Sequence, residues 1–486
     1  MLKGQKCCDF LKGILMKREE TISFFVEEAR KDFSVVDKNL AAVIQEIKTI
    51  DSKKLNYVEE FDVKDVLRQF EELKKSFAAK DSKYYGKLFG VPITVKDAIC
   101  VKGIESKAGS KILKGYKPLF DATVIERVRA EGAIILAKTT QDEFGFGTFA
   151  THTEKVPKNP FDNSRSCGGS SGGAAGFTAY TTNYHLAIGE STGGSIACPA
   201  SFCGCVGLTP TYGLVSRFGL IDYANSLDKI GAIAKNAEDA ALLLEVIAGY
   251  DEKDSTSLNQ GFTKEEATLK RIGVVKDFVD GCDSEVKKIF YSKINELKKF
   301  YEIEEVSLPL NVKYALSAYY VIATCEASTN LAKLSGLRYG VQGSVEGKHF
   351  DDYFSEIRSQ EFSEEAKRRI ILGTFARMSG YRDAYYLKAM RVRTKLINEF
   401  NEAFKRYDLL LFPTMPVVAP KFEDIEKLSP MQNFAMDLCT VPANLAGLPH
   451  ISVNSGFSNS LPVGLMAIAP HLQEKRLYSF AKVMQE

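Results

Sequence analysis

The sequence AIGESTGGSIACPASF, residues 187–202, carries two serines four positions apart, and the choice between them decides the fold. Ser191 lies within G-x-S-x-G, from Gly189 to Gly193, which is the spelling of a nucleophile elbow in esterases. An elbow needs a strand, a tight turn and a long helix starting beside the serine. YHLAIG supplies the strand, but Pro199 follows eight residues after Ser191, where a proline inside a helix removes a backbone bond and clashes. No H-G-G-G segment lies upstream, and none of His349, His450 and His471 sits in a stretch that reads as a loop built around it. The elbow is the weaker reading.

Ser195 offers a different chemistry. Gly193 and Gly194 free the backbone so that successive N–H groups can point at one spot, as a tetrahedral intermediate requires. A serine hydroxyl still needs a base. Upstream lies CGGSSGGAAG (167–176), two serines flanked by glycines, which can form a loop leading into a helix and bring a second hydroxyl beside the first. Lys96 ends the apolar run GVPITVKDAI, and burial disfavours the charged form of a lysine. These residues allow a Ser-Ser-Lys relay; spacing alone does not establish one.

Outward from this centre, residues 1–80 read as amphipathic helices, with DVLRQFEELKKSF the clearest. Phe10, Leu11, Ile14 and Leu15 recur at helical spacing and predict a docking helix. From Gly86 the texture changes. LFGVPITVKDAI predicts a strand ending near Lys96; ATVIERVRAEG predicts a helix stopped by Gly132; AIILAKT predicts the next strand. This β-α-β rhythm favours a mixed, largely parallel sheet covered by helices on both sides. AEDAALLLEVIAGY (237–250) and residues 284–300 predict helices, and EATLKRIGVVKDF a strand between them. Residues 312–407 read as mainly helical, and DLLLFPTMPVVAP as a strand broken at its prolines. The expected organisation is an N-terminal helical segment, 1–80, packed on a domain of 81–486. Gly145-Phe-Gly147-Thr-Phe-Ala150 matches a dinucleotide G-x-G-x-x-A, but TTQDEF before it makes a poor strand, and the match is set aside as chance.

With 486 residues and 45% apolar content the chain can bury a large core. Its 64 basic and 62 acidic residues leave a net charge of +2, so no broad nucleic-acid field is implied and any gripping of RNA falls to a partner. The ten cysteines form no secreted-type framework and read as reduced thiols of a cytoplasmic protein. Cys198, Cys203 and Cys205 are spaced C-x4-C-x-C with no nearby histidine, which predicts buried apolar side chains and no metal. The N-terminal stretch is too short and interrupted for a membrane anchor.

GVPITVKDAI, then CGGSSGGAAG, then GESTGGSIACPASFCGCVGLTPTYGLVSRFGLIDYANSLDKIG stand in the order of the amidase signature family, which the chain resembles from about residue 85 onward. The match extends to AALLLEVIAGYDEKDS, DLLLFPTMPVVAP and LPVGLMAIAP. The resemblance implies an α/β fold and a Ser-cis-Ser-Lys triad: Ser195 as nucleophile, Ser170 as the bridging serine and Lys96 as base. It further implies an oxyanion hole from the N–H groups of Thr192, Gly193, Gly194 and Ser195, with Ser171 orienting the relay. The family usually has Asp where this chain has Ser191, and Glu190 stands beside it as a substitute acid.

Within the family, PTYGLVSRFGLIDYANSLDKIG, LRYG (337–340) and RRIILGTFARMSGYRDAYYLKAMRVR (368–393) resemble most the glutaminase subunits of tRNA-dependent amidotransferases. That resemblance implies a B-type partner that activates glutamate on misacylated tRNA with ATP and Mg2+. It also implies a small C-type partner, and no cofactor on this chain. Glutamine would then be held by Arg369 at its carboxylate, with Arg368 the adjacent alternative, by Asp437 at its ammonium, and by a hydrogen bond from Tyr320. The alternatives are a freestanding amidase acting on other carboxamides, and a non-catalytic scaffold.

Overall fold

A computed structural model describes residues 20–80 and 85–485. The predicted docking helix around Phe10–Leu15, with Cys7 and Cys8, lies outside the described residues.

Eleven strands form one sheet in the order β1-β3-β2-β4-β6-β5-β10-β11-β9-β7-β8. Two of them carry the site. β2 (Pro92–Lys96) is a fully buried β-branched run, and β4 (Leu186–Ser191) lies beside it in parallel. Parallel neighbours end on the same edge of a sheet, so Lys96 and the loop after Ser191 are delivered to one place. On the other side of β2 lies β3 (Ile134–Thr139), also parallel, connected through the helix Thr123–Ala130. Gly132 follows that helix at φ +82°, the left-handed conformation that a helix stop favours.

The sheet is mixed and flanked by helices, as expected, but parallel pairing does not predominate. Six of the ten neighbour pairings are antiparallel. The β-α-β rhythm is confined to β2-β3-β4 and to β7 (Arg271–Val275), β8 (Glu302–Val306) and β9 (Leu409–Pro413). The middle is built from β5 (Val206–Thr209), β6 (Lys229–Ala234) and the hairpin β10 (His450–Ser458)–β11 (Leu461–Ile468). Asn459 and Ser460, both at positive φ, turn that hairpin, and two-residue turns of this kind join antiparallel strands.

The N-terminal segment holds the helices Ile22–Lys31, Ser34–Ser52 and Val63–Ala78. It also contributes a strand that its helical pattern hides, β1 (Val58–Glu60), paired antiparallel to β3. Three residues are too few to show periodicity, and pairing with the sheet edge overrides the local preference. Ile22, Phe25, Val43, Ile47 and Phe70 share one continuous apolar core with Ile93, Val95 and Ile135. Cys198, Cys203 and Cys205 are buried, with their thiols directed at backbone carbonyls. Among the described residues no helix is long and apolar enough to cross a membrane.

Candidate active site

Lys96, at the end of β2, is fully buried. Its Nζ touches three oxygens: Ser170 Oγ at 2.6 Å, the Glu190 carbonyl at 3.0 Å and Glu190 Oε2 at 2.7 Å. Ser170 and Ser171 precede the helix Gly172–Tyr180, in a loop with a cis Gly169–Ser170 peptide and Gly168 at φ +78°. A side chain at Gly169 would collide with the buried Asp142 carboxylate and with the backbone of Phe149 and Ala150, so the loop must be bare there. Ser171 Oγ donates to the Glu190 carbonyl at 3.1 Å, and Ser171 N–H to the Ser195 carbonyl at 3.2 Å. These bonds lay the Ser170 loop along the Ser195 loop.

Ser195 sits between β4 and the helix Ala197–Cys203. A Cβ at Gly193 would lie 2.6 Å from the Tyr319 hydroxyl, and one at Gly194 2.5 Å from Thr440 Cβ, so only glycines let this segment pass. Among the described residues, the N–H groups of Gly193, Gly194 and Ser195 have no acceptor, and all three residues line one small cavity. Three free, adjacent N–H donors are what a developing oxyanion requires.

The same cavity is lined by Gly145, Gly147, Gly169, Tyr319, Tyr320, Arg369 and Asp437. Tyr319 and Tyr320 come from the helix Pro309–Asn330 and Arg369 from Glu364–Arg377. Asp437 Oδ2 accepts from Tyr320 OH at 2.6 Å and Oδ1 from Thr148 Oγ1 at 2.9 Å. Burial pushes the Asp437 carboxyl above its usual value, against the hydrogen bond from Tyr320. Arg369 donates through Nε to Glu365 at 2.7 Å and through Nη1 to Tyr223. Burial opposes its charge, but Tyr223 and Glu365 outweigh that and hold the guanidinium firmly protonated. Nη2 has no acceptor among the described residues, which leaves a donor for a ligand. Arg368 is half-exposed, pairs with Glu365 and is not part of the cavity wall.

The structure thus brings together Lys96, Ser170, Ser171, the loop of Thr192 to Ser195, Tyr320, Arg369 and Asp437. Ser191 is apart in role: buried at the end of β4, its hydroxyl accepts from Asn444 at 3.1 Å, and the next helix begins only at Ala197. Pro199 stands in the first turn of that short helix, where its missing N–H is harmless. Gly145 and Gly147, of the chance dinucleotide match, are cavity wall, and so is Tyr319, which no motif marks. Residue types carry no signal for these; only tertiary approach places them. Among the described residues no cluster of His, Cys, Asp or Glu is arranged to hold a metal ion.

The chain belongs to the amidase family, whose model, described as Amidase, matches residues 38–478. It is 47% identical over 404 residues to the A-type subunit of the glutamyl-tRNA(Gln) amidotransferase of Archaeoglobus fulgidus, covering 82% of this chain and 87% of the relative. The corresponding protein of a Geobacillus species is 41% identical over 488 residues, covering 98% and 96%. Among solved structures, the A-type subunit of the glutamyl-tRNA(Gln) amidotransferase of Thermotoga maritima aligns at a TM-score of 0.75 with 34% identity, covering 94% of this chain and 93% of that one.

Proposed function

We propose that this chain is the glutaminase subunit of a tRNA-dependent amidotransferase. It hydrolyses glutamine and supplies ammonia to partners that convert Glu-tRNA(Gln) to Gln-tRNA(Gln). The observation that carries this reading is the cavity beside Ser195, which presents one firmly charged guanidinium and one carboxylate. Glutamine's α-carboxylate and α-ammonium call for that pair, and the likeness to several amidotransferase A-type subunits supports the assignment. A B-type partner that uses ATP and Mg2+ on the tRNA, and a C-type partner that joins the two, complete the proposed enzyme. The near-neutral charge suits a chain that leaves tRNA mainly to its partner.

In the proposed reaction Ser195 Oγ attacks the side-chain carbonyl of glutamine. Its proton passes to Ser170 Oγ, and the Ser170 proton passes to Lys96 Nζ. The free N–H groups of Gly193, Gly194 and Ser195 hold the oxyanion. Reversal of the relay protonates the leaving ammonia, and water, activated by the same groups, releases glutamate.

The test is a nitrogen-donor assay with the partner proteins present. Ser195→Ala is expected to abolish transamidation from glutamine while sparing transfer from added ammonia. Ser191→Ala, in the same assay, should retain most glutamine-dependent activity. Equal loss with both donors for Ser195→Ala would overturn the division of labour, and a dead Ser191→Ala enzyme would restore the elbow. Amide hydrolysis by the isolated chain with no preference for glutamine would point to a freestanding amidase.

A further inference from the structure

Arg369 stands among four aromatic rings. Its guanidinium carbon lies 4.9 Å from the ring centre of Phe146, 5.6 Å from those of Tyr223 and Tyr320, and 5.7 Å from that of Phe434. Rings attract a cation and keep water from it, but they do not fix how a planar fork is turned. Hydrogen bonds do that. Two are present: Nε donates to Glu365, and Nη1 donates to the Tyr223 hydroxyl.

The two bonds tie the guanidinium to different things. Glu365 precedes Arg369 by one turn of the same helix, so it travels with the arginine. Tyr223 comes from the segment that precedes β6. Its N–H donates to Asp228 Oδ2 at 2.9 Å, its carbonyl accepts from Asn330 Nδ2 at 3.0 Å, and its ring meets that of Phe146 edge-on at 4.7 Å. Asp228 Oδ1 also accepts from Thr192 Oγ1 at 2.8 Å. One carboxyl group thus holds both the Tyr223 backbone and the loop whose next residues carry the free N–H donors. Tyr223 is 2% exposed and is not part of the cavity wall.

We propose that Tyr223 is a positioning residue: its hydroxyl fixes the Arg369 guanidinium relative to the oxyanion donors, so that an amide bearing a carboxylate is held with its carbonyl at Ser195. The inference rests on the reading of Arg369 as the group that takes the α-carboxylate of glutamine. Without the hydroxyl, Nη1 loses its acceptor and the fork is anchored only to its own helix. Phenylalanine at this position keeps the ring packing and removes the hydroxyl alone. Among the described residues no hydrogen bond joins that hydroxyl to Lys96, Ser170 or Ser195, so the hydrolytic step is left as it was.

The test compares Tyr223→Phe with wild type, partner proteins present, on two amides: glutamine, and 4-aminobutanamide, which is glutamine without its α-carboxylate. KM for glutamine is expected to rise on the order of 10- to 100-fold, the scale of one hydrogen bond to a charged group, with kcat within about 3-fold of wild type. Hydrolysis of 4-aminobutanamide should stay within about 2-fold, since nothing on it reaches for the guanidinium. An equal fall on both amides would make Tyr223 a part of the packing only and overturn the proposal, as would an unchanged KM for glutamine. A crystal structure of the full-length variant should show the guanidinium turned from its wild-type place; an unmoved guanidinium overturns the proposal as well. That structure needs no turnover. A wild-type enzyme that treats both amides alike refutes the functional reading, and the variant's structure then decides this inference by itself.

Discussion

Asp437 is the residue at which the proposed recognition of glutamine meets pH. The residue is half-buried, and its carboxyl is raised by burial above the usual value and steadied by Tyr320 and Thr148. To hold an α-ammonium it must be ionised. As pH falls through its raised pKa the charge is lost, so KM for glutamine should climb on acidification at a pH above that of an exposed aspartate, with kcat less affected. Asp437→Asn should raise KM on the order of 100-fold, the scale of breaking one buried charge pair, and should flatten that part of the KM–pH profile. Steady-state kinetics across pH checks both. The residue was legible in FAMDLCTVPANLAGLP only through resemblance; a lone aspartate in a helical context says nothing of what faces it. Lys96 was little clearer on its own terms, because a lysine at a strand end is usually solvated; only the structure shows it fully buried.

At the scale of the element, the segment of Gly193 and Gly194 is shaped by what presses on it. The added methyl of Gly194→Ala meets Thr440 Oγ1 and Cβ, so the free N–H donors shift. A loss on the order of 100-fold in kcat is expected, because oxyanion donors act over tenths of an ångström. Thr440 is the N-cap of the helix Val441–Leu445, a position that tolerates glycine. Thr440→Gly should therefore recover much of the activity in the double variant, and a cycle of single and double variants measures this directly. The elements with long periodic patterns, such as Ala237–Ile247, were legible from apolar spacing alone. β5, β6, β10 and β11 were not, since short apolar runs among glycines and prolines look like loops until their neighbours are known.

For the whole molecule, Lys229 on β6 sets a pH dependence of stability. It is buried, and its amine donates to the Leu448 carbonyl at 2.9 Å. Burial lowers its pKa from 10.5 to about 7, outweighing the attraction of Glu474. Between these values the unfolded chain binds more protons than the folded one, so stability rises with pH from about 7 to 10.5. The full cost, up to about 5 kcal/mol, is present below the folded pKa. Lys229→Met should stabilise the protein by about 2–4 kcal/mol at pH 6, with a smaller gain at pH 9, in denaturant unfolding at the two pH values.

The sheet order also fixes when this protein can begin to work. β10 lies between β5 and β11, so the final hairpin joins the first six strands to β7, β8 and β9. The cavity likewise waits for Asp437, although Lys96 is made early. A chain cut short before that hairpin lacks the two strands that join the halves of the sheet.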